Sequence, residues 1–319
     1  MNCTQNHKIN QVTEKTLVVG MDIAKRKHYA CFVDDRGRIL QKAFPVAQSN
    51  QGFEEFYQRI LSAMKEFRKT EVIIGTEPTG HYWLNLAYFL DERGIPLVMT
   101  NPMHVKRSKE LDDNLPTKHD AKDALVIARL VKDGRFSYPR ILKGMEADLR
   151  AGASLRSKLV EELGFVSNQL IRWTDRYFLE FGQVFPSFGK MALAALEHTP
   201  FPSDLAGKEP DEVLELYRKS EGLKAPQRPK AARLIELAGT SIGVTKGRQM
   251  ARIEIATLVR RYRQLEEEIE SLTRQLSELV RESVEYQWLK TVPGWVMPPL
   301  SNYCRKSEAF PTIRIHANY

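Results

Sequence analysis

The stretch Thr16-Leu17-Val18-Val19-Gly20-Met21-Asp22-Ile23-Ala24-Lys25 decides how the fold is read. Leu17 to Met21 is a short, unbroken apolar run, the pattern of a strand buried on both faces. It ends at a carboxylate, Asp22. The run Val72-Ile73-Ile74-Gly75 repeats the pattern and leads to Glu77 in Thr76-Glu77-Pro78-Thr79-Gly80. Gly20 and Gly75 each stand two residues before their acid. There the missing side chain lets a backbone or a substrate approach closely.

Working outward, His28 to Val33 is rich in β-formers, Asp34-Asp35-Arg36-Gly37 is a turn, and Arg38 to Phe44 is a third run. Together with the first, these predict a three-stranded antiparallel meander. Asn50 to Arg68 has helical spacing, with Phe53, Phe56, Tyr57, Ile60, Leu61 and Met64 on one stripe and Ser49 or Asn50 as its cap. His81 to Arg93 reads as a helix stopped by Gly94, and Ile95 to Met99 as a further strand. Asp112 to Thr117 reads as a loop and Lys118 to Lys132 as a helix closed by Gly134. Strands alternating with helices after an opening meander predict an α/β domain with a mixed sheet.

At 319 residues the chain has room for at least two domains. A net charge of +8 favours a polyanionic partner. No stretch approaches the roughly 18 apolar residues of a membrane span, and Met1 to Asn10 lacks the apolar core of a secretory signal. A cytoplasmic protein with nucleic acid as partner, and no membrane partner, is the expectation. The 3 cysteines (Cys3, Cys31, Cys304) are scattered singly and the 7 histidines show no ligand spacing. An expected metal is therefore a hard, oxygen-ligated ion such as Mg²⁺.

Asp120 and Asp123, in Lys118-His119-Asp120-Ala121-Lys122-Asp123-Ala124, lie three apart and so on one helix face. With Asp22 and Glu77 at neighbouring strand ends, four acids would meet at one rim of the sheet. Attack on a phosphodiester calls for such a set: two ions about 3.5–4 Å apart need one bridging carboxylate and others flanking. An isolated Asp after a strand is more often a cap, and an Asp pair on a helix a solvated face. Glu77 adds weight, because an unpaired acid on an apolar strand end is costly. Lys25, Arg26 and Lys27 follow the first acid, and Lys106, Arg107 and Lys109 precede the second pair. Beside four acids that would repel DNA, these cations are candidate contacts to the phosphate backbone.

Downstream the pattern changes. Leu159, Leu163, Val166, Leu170, Trp173 and Tyr177 step alternately by four and three. So do Ile255, Leu258, Tyr262, Leu265, Ile269, Leu272, Leu276 and Leu279. Such heptad spacing predicts coiled-coil seams, arranged as an antiparallel hairpin. Residues 185–244, rich in proline and short apolar segments, read as a helical insert at its tip, with Arg228, Lys230, Arg233, Lys246, Arg248 and Arg252 making the return limb basic.

The order strand-Asp, strand-Glu, helix Asp-x-x-Asp resembles the DEDD-type insertion-sequence transposases, whose N-terminal domain is RuvC-like with an RNase H fold and which are described as guided by a bridge RNA. The matching signatures are Gly20-Met21-Asp22-Ile23-Ala24-Lys25, Glu77-Pro78-Thr79-Gly80, Asn101-Pro102 and Lys118 to Ala124. The resemblance implies Asp22, Glu77, Asp120 and Asp123 as Mg²⁺ ligands of a catalytic site. It implies a DNA substrate, a structured guide RNA, and self-association as homodimer or tetramer through the coiled coil. The domain organisation expected is a polar tail over 1–15, a RuvC-like domain over 16–143, and a helical domain over 144–288. A C-terminal transposase domain would begin at 289–319.

Members of the family carry a nucleophilic serine in that last domain. Val292-Pro293-Gly294 resembles its start, but Trp295 to Tyr319 does not continue the pattern, and Ser301 and Ser307 match no family motif. The expectation is a truncated copy with no nucleophilic serine. A stand-alone Mg²⁺-dependent, structure-selective nuclease and a non-catalytic nucleic-acid-binding dimer are the alternatives.

Overall fold

The structure, a computed structural model, describes the backbone of residues 2–112 and 120–281, and side chains within 5–109 and 122–281. The expected C-terminal segment 289–319 and the loop residues 113–119 lie outside the described residues. Contacts divide the chain into two units, Met1–Leu142 and Lys143–Tyr319.

In the first unit α1 (Asn2–Ile9) precedes β1 (Thr16–Asp22), β2 (Lys27–Val33) and β3 (Ile39–Ala47). Then come α2 (Asn50–Glu66), β4 (Glu71–Thr76), α3 (Trp83–Asp91) and β5 (Leu97–Thr100). The unit closes with α4 (Pro102–Asp112), α5 (Asp120–Lys132) and β6 (Phe136–Ser137). The strands form one sheet in the order β3-β2-β1-β4-β5-β6. β1 to β3 are the antiparallel meander, β4 runs parallel to β1, and β5 parallel to β4. This is an RNase H-like mixed sheet.

Both faces of the sheet are covered, as the unbroken apolar runs of β1 and β4 require. Leu17, Val19 and Met21 pack with Phe53, Phe56 and Ile60 of α2 and with Leu86 and Leu90 of α3. Val18 and Ile73 face the other way, against Val105 of α4 and Ala124, Ile127, Ala128 and Val131 of α5. Ser49 caps α2, accepting the Gly52 N–H at 3.1 Å. Three elements go beyond what the sequence predicts: α1, α4 and β6. The polar stretch read as a tail holds α1, whose Lys8 ammonium donates to the Phe136 carbonyl at 2.6 Å. The short strand β6 pairs antiparallel with β5, a two-residue pairing too brief to leave a period in the sequence.

The second unit is helical. α6 (Gly144–Tyr177) and α12 (Arg248–Arg281) pack along each other, and five short helices lie between them in sequence: α7 (Phe181–Val184), α8 (Lys190–His198), α9 (Pro202–Leu205), α10 (Pro210–Tyr217) and α11 (Arg228–Ala238). Early residues of α6 meet late residues of α12. Arg156 Nε donates to Thr273 Oγ1 at 3.1 Å, while Trp173 Nε1 donates to the Ala251 carbonyl at 3.1 Å. The pair is therefore antiparallel. Leu163, Val166, Leu170, Trp173 and Tyr177 share one core with Ile255, Leu258, Leu265 and Ile269. The insert belongs to that core through residues such as Phe181, Leu193, Val213 and Leu234. Much of the basic return limb is paired: Arg228 with Asp211, Arg233 with Glu236, and Arg252 with Asp204.

The Trp173 ring lies tilted against those of Tyr177 and Phe201, with centroids 4.9 and 5.4 Å away. Trp173→Ala is expected to destabilise the second unit by about 3–5 kcal/mol, the usual cost of deleting a buried aromatic. Chemical denaturation followed by far-UV circular dichroism checks this.

Candidate functional site

The acid-bearing ends of β1 and β4 are neighbours. Parallel pairing sets Gly20 opposite Gly75 and Met21 opposite Thr76. One step further along both chains, Asp22 and Glu77 come to the same rim of the sheet. Both are half-buried. Asp22 is the last residue of β1, across from Tyr29 of β2, and Glu77 is the first residue beyond β4.

Helix α5 closes over these strands on bare backbone. A Cβ on Gly20 would lie 2.0 Å from the Ala124 carbonyl oxygen and 2.3 Å from the Ala128 nitrogen. One on Gly75 would lie 2.1 Å from Val131 Cγ2. The close approach anticipated at both glycines is thus made by this helix. Asp123 directly precedes Ala124, the residue seated on Gly20, and Gly20 is two residues from Asp22. Asp120 opens the same helix; its side chain lies outside those described.

Asp123 has a partner, the Lys109 ammonium of α4, at 2.5 Å. Lys106 and Arg107 are exposed on α4, and Lys25 and Arg26 are exposed at the bend between β1 and β2. The Lys27 ammonium lies 4.9 Å from the centre of the Tyr29 ring. Among the described residues, no three of His, Cys, Asp and Glu are gathered closely enough to hold a metal ion. The donors available at this rim are carboxylate oxygens, a chemistry that fits a hard divalent cation and not a thiophilic one. The buried Cys31 stands apart from any such role: burial pushes its thiol up to about 11, so it is no thiolate at neutral pH.

A polar network missed by the sequence reading joins the loops behind the two strand ends. His28, fully buried on β2, accepts the Ala24 backbone N–H on Nδ1 at 3.1 Å. With Nδ1 accepting, Nε2 carries the proton and donates to Gln48 Oε1. Gln48 Nε2 in turn donates to the Tyr82 carbonyl at 3.0 Å, and its backbone N–H bonds the Arg26 carbonyl at 3.0 Å. The loop that follows Asp22 is thereby connected to the segment that follows Glu77. Phe53 stacks on the imidazole, with centroids 6.0 Å apart. The available signal was a histidine at an inward position of a strand, where an unsatisfied ring would be costly.

The transposase family denoted DEDD_Tnp_IS110 matches residues 19–179, half of the chain. No curated protein matches the sequence. Among solved structures, T. thermophilus RuvC in complex with a Holliday junction substrate is similar at 20% identity and a TM-score of 0.28, over 39% of this chain and 99% of that one.

Gly20→Ala should be the more damaging of the two glycine substitutions, because its methyl meets backbone atoms of α5, whereas that of Gly75→Ala meets the movable Val131 side chain. A loss of at least the ~1–3 kcal/mol of an overpacked core is expected for Gly20→Ala, with a smaller loss for Gly75→Ala, read from thermal melts. His28 supplies a pH dependence. Burial lowers its pKa from the ordinary 6.5, against the opposing pull of Gln48. The folded ring therefore stays neutral where the unfolded chain takes up a proton. Stability from this group is full above pH 6.5 and is lost as pH falls below it. Melts recorded from neutral to mildly acidic pH should show that loss, and His28→Asn should remove its contribution.

Proposed function

This chain belongs to the DEDD_Tnp_IS110 transposase family, and we propose that its first unit is a Mg²⁺-dependent DNA-cleaving site in which Asp22, Glu77, Asp120 and Asp123 are the catalytic ligands. The observation that carries the reading is the pairing of β1 with β4, which sends Asp22 and Glu77 to one rim beneath the helix that bears the other two acids. A bound divalent ion would supply charge neutralisation at the attacked phosphate and activation of the entering oxygen.

The chain's own residues set the conditions for that chemistry. Asp22, at the end of β1, and Glu77, just beyond the end of neighbouring β4, would present their carboxylates at the same rim. Asp120 and Asp123 come from a helix whose position is set by the contact at Gly20. Lys25, Arg26, Lys27, Lys106 and Arg107 would draw the phosphate backbone toward an acidic rim that would otherwise repel it. Lys109 balances the charge of Asp123 while no other cation is there.

The same reading includes a structured guide RNA and self-association through the helical unit. The α6–α12 seam is filled from within the chain, so a second copy would use what that seam leaves outside. Leu155, Phe165, Met250 and Ile253 are exposed there.

Cleavage of labelled DNA carrying the ends of the mobile element tests the site. Wild-type chain should cut with Mg²⁺ and not with EDTA. Asp22→Asn and Glu77→Gln should each lose more than the roughly 10–100-fold that removal of an outer partner of a metal site costs. Full activity in either variant would refute the assignment. Gln48→Ala, which releases the loop behind Glu77 without touching an acid, should fall within that 10–100-fold range, measured in the same assay.

A further inference from the structure

A cleft of about 740 Å³ opens beside Glu77, at the C-terminal end of β5. Its walls come from α1, the β5–α4 junction and β6, and include Lys8, Pro78, Asn101, His104, Arg135 and Phe136. Pro78 is the residue after Glu77, so one wall of the cleft adjoins the acidic rim. None of the described residues that line it is acidic. We propose that this cleft binds the phosphodiester backbone of a single nucleic-acid strand, leading it to the rim at Asp22 and Glu77. The inference rests on the nucleic-acid reading above and adds to it the residues and the form of the ligand.

The chemistry of the lining supports an anion. The Lys8 ammonium donates one of its three protons to the Phe136 carbonyl at 2.6 Å and lies 5.6 Å from the centre of the Phe136 ring, which fixes a positive charge at the wall. Arg135, in the turn just before β6, is exposed, as is His104 in the first turn of α4. Asn101 caps that helix by accepting the Met103 N–H at 2.9 Å, so its side-chain amide still has donors to offer. Phe136 of the lining, itself buried, meets Tyr138 edge to face at 5.6 Å, and Tyr138, just outside the lining, is 55% exposed. Phosphate donors beside an exposed ring are the two parts of a single-strand site, one for the backbone and one for a base face. The volume falls within the ~300–1,000 Å³ typical of small-ligand clefts. That is room for a nucleotide of one strand and not for a duplex.

The position also fits. In open α/β sheets, ligands bind beyond the carboxyl ends of the strands, and this cleft lies beyond β5, next in the sheet to acid-bearing β4. Asn101 and Pro102, one of the signatures shared with the family, line the cleft where β5 becomes α4. Lys8 and Arg135 are far apart in sequence, which is why no charge run disclosed them.

Fluorescence anisotropy of the full chain with a labelled oligothymidylate, titrated over a range of salt, tests the proposal. Lys8→Gln and Arg135→Ala should each weaken binding and reduce the slope of log affinity against log salt by about 0.7, the value for one phosphate contact on a single strand. Lys65→Ala, on α2 outside the cleft, removes the same charge and serves as the control. Equal effects in all three variants, or none, would overturn the cleft as the binding site while leaving the nucleic-acid reading intact. Competition by thymidine monophosphate as strong as that by the oligonucleotide would replace the strand with a free nucleotide. A wild-type chain that binds neither DNA nor RNA oligonucleotide at low salt would remove the broader reading, and this one with it.

Discussion

At Gly20, helix α5 meets the sheet backbone to backbone. At Gly20 there is no space for even a methyl group between β1 and the Ala124–Ala128 segment. This contact fixes how deep the helix sits and where along β1 its first turn falls. Almost everything at the rim inherits its position from it. A larger residue at 20 would lift the whole first turn of α5, and Asp123 with it, while leaving Asp22 in place on its strand. The glycine is therefore a spacing device for the acids as much as a packing feature.

The sheet and its helices were legible because their signals are local. Unbroken apolar runs disclosed β1 and β4, and the Phe53–Phe56–Ile60 stripe disclosed α2. The positions of the four acids, at strand ends and at a helix start, are likewise visible in the sequence. Relations between distant residues were not visible. Nothing in the order of residues says that Gln48 will reach both His28 and Tyr82, or that Lys109 will settle on Asp123 instead of joining Lys106 and Arg107 in solvent. The helix at 2–9 escaped for a related reason: its sequence is polar throughout, and its anchorage comes from Gly134 and Phe136, more than a hundred residues away.

In the second unit, Leu163, Val166, Leu170, Trp173 and Tyr177 of one heptad series and Ile255, Leu258, Leu265 and Ile269 of the other are buried, while Leu159, Tyr262, Leu272 and Leu276 are half-buried. The partner of each arm is the other arm of the same chain. Two polar contacts cross the seam, Arg156 on Thr273 and the Trp173 indole on the Ala251 carbonyl, and they favour one register among the several that a plain leucine repeat would allow. Burial weakens along α12 toward Leu279, which is exposed, so the seam loosens at the end away from the insert.

The antiparallel course of α6 and α12 has a topological consequence. Each arm is 34 residues long, or about 50 Å at the usual helical rise. The chain travels that distance, builds the insert, and returns to where it set out. Residues near 144 and near 281 are thus spatial neighbours despite the separation in sequence. The hairpin behaves as a parenthesis in the chain. Matched insertions or deletions in its two arms would move the insert outward or inward by about 1.5 Å per residue without disturbing the base. Reach can then vary between related proteins independently of everything anchored at the hairpin's foot.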